Sequence, residues 1–141
     1  NYVSAYIDLD NDPAYPFGFG LSYTTFKYSD FNLSSTELKG NQTLNASISV
    51  TNSGNYDGDE VVQLYIRDLV GKVVRPVKEL KGFQKLYLKK GESKTVSFNI
   101  SPEDLKFYDE DLNYDWEAGE FDIMVGTSSA DVQTKRINWE K

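Results

Sequence analysis

Residues 44–51 read LNASISVT, and the fold turns on how that stretch is read. Leu44, Ala46, Ile48 and Val50 are apolar, while Asn45, Ser47, Ser49 and Thr51 are polar. Successive side chains of an extended chain point to opposite faces, so a period of two builds one apolar and one polar face, the mark of a half-buried strand. The period returns at Val62, Leu64 and Ile66, at Val96, Phe98 and Ile100, and at Phe121, Ile123 and Val125. Turn chemistry closes these runs at Asn52-Ser53-Gly54, Lys90-Gly91-Glu92 and Ala118-Gly119.

Working outward, residues 26–33, 80–88, 105–109 and 132–139 are further candidate strands, seven or eight short strands in all. Only Ser101-Pro102-Glu103-Asp104 has helical chemistry, a Ser cap followed by Pro at the first position and an acid three residues on. Leu105-Lys106-Phe107 then resumes strand character, so a single turn is expected there. Many short strands without long alternating helices predict an all-β, two-sheet antiparallel β-sandwich, immunoglobulin-like or fibronectin type III-like. Residues 1–25 stand outside that pattern and carry Tyr2, Tyr6 and Tyr15 before any clear strand. They are expected to form an extended N-terminal linker that packs on something the sandwich does not supply.

Composition removes most chemistries. The chain has 141 residues, 39% hydrophobic and 14% aromatic, enough apolar surface for one domain with a real core. Its net charge of −7 repels nucleic-acid backbone and anionic membrane, so neither is expected as a partner. It has no cysteine and no histidine. Disulfides, thiolate nucleophiles, imidazole acid–base chemistry and the usual zinc ligands are therefore absent, and no cofactor is implied. No apolar run approaches the ~18 residues a spanning helix needs, and residues 1–20 are too polar for a signal peptide.

The remaining candidates each have a plainer explanation. The 22 carboxylates could supply a glycosidase pair, but they sit mostly in turns and on the polar parity of strands, as do Asp57, Asp59, Glu110 and Asp111. A calcium loop starting at Asp109 would use Asp111, Asn113 and Glu120, yet its sixth position, which needs glycine, is Tyr114. Lys78, Lys81, Lys85, Lys89, Lys90 and Lys94 read as a solvated or edge strand. Four Asn-x-Ser/Thr triplets, at Asn32, Asn41, Asn45 and Asn99, are compatible with glycosylation. Tyr65, on the polar parity of its run, and Tyr56, Tyr114 and Trp116, near turns, are the aromatics with room to be exposed and to stack on sugar, although core and interface roles suit such side chains better.

The segment YPFGFGLSYTTF (15–26) carries five aromatic side chains and two glycines in twelve positions. It resembles the stretch by which glycoside hydrolase family 3 enzymes, chiefly β-glucosidases and β-xylosidases, pass from an α/β sandwich domain into a C-terminal fibronectin type III-like domain. The similarity continues through VTNSGNYDGDEVVQLYIRD (50–68), RPVKELKGFQKLYLKKGES (75–93), LKFYD (105–109) and GEFDIMVGTSS (119–129), and NYVSAYIDLDNDP (1–13) resembles the preceding loop of bacterial members. The resemblance implies residues 1–25 as linker and tail of the preceding domain, and residues 26–141 as the fibronectin type III-like domain. It also implies that the nucleophilic aspartate and the acid/base glutamate lie upstream. No carboxylate of this chain matches either motif, so no catalytic, cofactor or metal residue is assigned.

Pro16 fixes its own φ and extends Tyr15, Gly18 and Gly20 permit close turns, and the aromatics supply apolar area. Tyr15, Phe17, Phe19 and Tyr23 are thus the expected interdomain contact. The expected partners are the catalytic domains of a parent enzyme, with carbohydrate as a further possibility, and the expected compartment is periplasmic or secreted. A free-standing carbohydrate-binding module and a protein–protein adhesion domain are the alternatives.

Overall fold

A computed structural model describes residues 24–69, 78–108 and 111–141, so Tyr15, Phe17, Phe19, Tyr23 and Asp109 lie outside the described residues. In chain order the strands are β1 (Phe26–Leu33), β2 (Glu37–Lys39), β3 (Leu44–Asn52), β4 (Gly58–Asp68), β5 (Glu79–Leu88), β6 (Ser93–Ile100), β7 (Phe107–Tyr108), β8 (Tyr114–Asp115), β9 (Gly119–Ser128) and β10 (Asp131–Glu140). Three strands form one sheet in the order β1-β3-β6, and five form the other in the order β2-β10-β9-β4-β5. β7 and β8 make a separate ladder. Pairing is antiparallel except at one edge, where β2 runs parallel to β10.

The period-two residues face each other across the sandwich. Leu44, Ala46, Ile48 and Val50 of β3 are fully buried, and they join Val62, Leu64, Ile66, Val96, Phe98, Ile100, Phe121, Ile123 and Val125 in one cluster. Burying each large apolar side chain stabilises by about 1.5–3 kcal/mol, an upper figure because the unfolded chain already hides some surface. The helical turn forms at Pro102–Leu105, where Asp104 Oδ2 accepts the Ser101 backbone N–H at 2.9 Å. Of the lysine-rich run, Lys81 and Lys85 fall on β5 and Lys94 on β6, edge strands of the two sheets, where charge discourages pairing with a further sheet.

Two of the aromatics with room to be exposed take the core role that suited them better. Tyr65 is only 3% exposed. β4 lies between β9 and β5, so its outer parity is walled in from both sides. Tyr65 sits opposite Leu80 and Met124 and packs with them in a second cluster, its hydroxyl donating to Gln63 Oε1. Trp116 is likewise buried, edge-on to the fully buried Trp139 with ring centroids 6.2 Å apart. The indole Nε1–H of Trp139 donates to Gly40 O at 3.0 Å, which ties β10 to the turn after β2. Tyr56 and Tyr114 are exposed, as their turn positions suggest.

Candidate functional site

Thr24 and Thr25 bring the chain into β1 at the end of the sandwich where β3 finishes and β4 starts. Asn52, the last residue of β3, organises this end. It is fully buried. Its Oδ1 accepts from Thr24 Oγ1 at 2.6 Å and from Gly54 N at 3.1 Å, while its Nδ2 donates to Tyr56 O at 2.8 Å and Leu88 O at 3.0 Å. One amide thus satisfies four groups from Thr24, the β3–β4 loop and the end of β5, in a place where an unpaired polar group would cost about 1–3 kcal/mol. Gly54 is needed here because a Cβ would lie 2.1 Å from Thr24 Oγ1 and 2.6 Å from Thr25 N. The Asn-Ser-Gly motif read as a turn therefore also clamps Thr24 and Thr25 as the chain enters β1.

Beside the clamp, Tyr28 of β1 donates its hydroxyl to Glu60 Oε2 of β4 at 2.9 Å. Burial raises the Glu60 carboxyl above its ordinary range, against the hydrogen bonds it accepts from Tyr28, Val61 N and Thr127, and the Asp131 charge adds to the rise. Burial and then the Glu60 charge push Tyr28 up as well, so its hydroxyl stays a donor. A raised folded-state pKa gives a contribution to stability that is full below the unfolded value and is lost as pH climbs through the folded value. Glu60→Gln removes this term. The stability advantage of the native chain over the variant is therefore expected to shrink as pH rises above the ordinary glutamate value of about 4.3, read from thermal midpoints. A gap that widens with pH would contradict the assignment.

No group of three or more acidic side chains among the described residues is arranged to hold a metal ion. Nor is any helix among them long and apolar enough to cross a membrane. Of the sequence candidates, Tyr114 stacks on Tyr108 with centroids 4.8 Å apart, at the opposite end of the sandwich from Thr24, and the Lys106 ammonium sits 5.7 Å over its ring. Sequence reasoning did not find the Tyr28–Glu60 pair, because only the fold brings residues 32 apart together. The four linker aromatics expected at the interface end just before Thr24, outside the described residues.

Two facing sheets of three and five strands with one shared apolar interior define an immunoglobulin-type β-sandwich. Residues 60–129 match the Fibronectin type III-like domain, and the chain belongs to that family. It is 49% identical over 132 residues to the periplasmic beta-glucosidase of Salmonella typhimurium, covering 94% of this chain and 17% of that protein. It is 47% identical over 129 residues to a beta-xylosidase of Formosa agariphila, covering 92% of this chain and 18% of that one. The crystal structure of a beta-glucosidase from Listeria innocua in complex with glucose superposes with a TM-score of 0.82 at 39% identity, over 100% of this chain and 19% of the other. The chain spans less than a fifth of the length of these relatives. It corresponds to their non-catalytic fibronectin type III-like part, and the family 3 resemblance read from the linker and the four blocks after it holds.

Proposed function

We propose that this domain supports the catalytic domains of a β-glucosidase-like glycoside hydrolase that removes terminal β-glucosidic or β-xylosidic residues. The observation that carries the reading is the pairing of near-complete coverage of this chain with 17% coverage of a beta-glucosidase. Chemistry in such an enzyme belongs to the remainder of the polypeptide, and this sandwich contributes a rigid body at a clamped linker. Residues 1–25 serve as that linker and 26–141 as the supporting domain. Tyr15, Phe17, Phe19 and Tyr23 pack on the neighbouring domain. The Thr24–Asn52 bond supports this reading, because a linker fixed at its exit transmits the position of one domain to the next. The compartment is periplasmic or secreted, in keeping with the relative from Salmonella typhimurium.

Phe17→Ser with Phe19→Ser tests the interface. Two interfacial phenylalanines are worth about 3–6 kcal/mol of apolar burial. In the whole enzyme the double variant is expected to lower the thermal midpoint by roughly 5 °C or more, while leaving the 141-residue chain within about 2 °C of its own. An equal fall in both would show that these rings pack on their own sandwich.

A further inference from the structure

We propose that the open flank of the sandwich between β1 and the β9–β10 hairpin is a binding site for a single uncharged pyranose ring. The inference goes beyond the supporting role and does not depend on it.

Along β10 the inward parity runs Gln133, Lys135, Ile137, Trp139, since these sit opposite Val125, Ile123, Phe121 and Gly119 of β9. Ile137 and Trp139 are buried as that parity requires, but Gln133 and Lys135 are exposed. Polar residues at core-parity positions mark either an error of patterning or a functional surface. Here a cleft of about 290 Å³ lies between β1 and the β9–β10 hairpin. That is close to the lower end of the roughly 300–1,000 Å³ usual for small-molecule sites, room for one sugar ring.

The lining has two characters. Phe26 and Tyr28, partly buried over the fully buried Val125, give it an apolar floor, Val132 lies at its edge, and Lys27, Thr127, Asp131 and Gln133 give it a polar rim. An apolar floor suits the C–H face of a pyranose. Carboxylate, amide, hydroxyl and ammonium groups around it alternate acceptors with donors, which is what vicinal hydroxyls need. One carboxylate and one ammonium on the rim leave no net charge, so a phosphate or carboxylate ligand gains little.

The site is also shaped in advance. The β9–β10 ladder bulges between Asp131 and Val132, a device that re-aims side chains. Gly126 makes the bulge possible, since a Cβ there would lie 2.1 Å from Asp131 O and 2.7 Å from Val132 Cα. Gln133 Nε2 donates to Tyr28 O at 3.3 Å, and the Tyr28 hydroxyl is held by Glu60, so the floor is fixed.

Titration of the 141-residue chain with methyl β-glucoside, followed by amide NMR, tests the proposal. Saturable shifts are expected at Gly126, Thr127, Val132 and Gln133, with a dissociation constant of about 1 mM, weak as a single ring in a shallow cleft should be. Asp131→Asn and, separately, Gln133→Ala are expected to raise that constant about tenfold, with thermal midpoints confirming that each variant is folded. Tyr108→Ala, at the far hairpin, should leave it unchanged. The site is refuted by shifts that do not saturate up to about 100 mM, a hundredfold above the expected constant. It is equally refuted by shifts centred on Tyr108 and Tyr114, or by unaltered affinity in the folded Asp131→Asn chain.

Discussion

Asn52→Ala is expected to cost about 3–5 kcal/mol and to lower the thermal midpoint by roughly 10–15 °C. The side chain removed is fully buried and makes four hydrogen bonds, at 2.6, 2.8, 3.0 and 3.1 Å. Alanine leaves the Leu88 carbonyl without that donor in a dry place and frees Thr24 from β3. The four losses do not add in full, because the loop can relax around Tyr56, which is already exposed. Asn52→Asp separates hydrogen bonding from volume. It keeps an acceptor for Thr24 and Gly54 but turns a carboxylate oxygen toward the carbonyls of Tyr56 and Leu88, so it is expected to be at least as damaging near neutral pH. Thermal denaturation of the two variants reads both effects. A midpoint within about 3 °C of the native chain for Asn52→Ala would show that the clamp contributes little.

Trp139→Ala is expected to be comparably severe, about 3–5 kcal/mol, the usual range for truncating a buried aromatic. Trp139 is fully buried, meets Trp116 edge-on at an interplanar angle of 73°, and closes the turn at Gly40 through its indole N–H. Removing the ring opens a cavity under Trp116, leaves Gly40 O without its donor and loosens the short β2 against β10. Trp139→Phe keeps much of the volume and loses the hydrogen bond and part of the ring contact, so it should fall well short of the alanine variant. Near-ultraviolet circular dichroism is expected to lose the coupled indole signal in both. A mild Trp139→Ala phenotype would mean that this end of the core is filled from elsewhere.

Most of the architecture was legible because period two survives wherever one face is wet. β3 shows this most plainly, with Leu44, Ala46, Ile48 and Val50 buried and Asn45, Ser47, Ser49 and Thr51 only partly so. β1 runs over residues 26–33 as the candidate strand did, and the single helical turn formed after Ser101. Legibility failed for physical reasons. β2 has three residues and β8 has two, too few to display a period, and each exists only because a partner strand lies alongside. The polar parity of Tyr65 left room for exposure because central strands of the larger sheet are packed on their outer faces too, which alternation cannot reveal. Asn52 looked like a turn residue, and its burial depends on Thr24 and Leu88, 28 and 36 positions away in the chain. Tyr15, Phe17, Phe19 and Tyr23 were singled out by density and resemblance rather than by period, and they lie outside the described residues.

The central claim is that this domain supports chemistry performed by other parts of a larger enzyme. The most direct measurement is hydrolysis of an aryl β-glucoside by the purified 141-residue chain, folded as judged by its thermal transition, beside the whole enzyme at equal molar concentration. The account predicts no turnover above buffer for the chain and normal turnover for the whole enzyme. Turnover by the chain alone, abolished by replacing one of its own carboxylates such as Glu60→Gln, would contradict it.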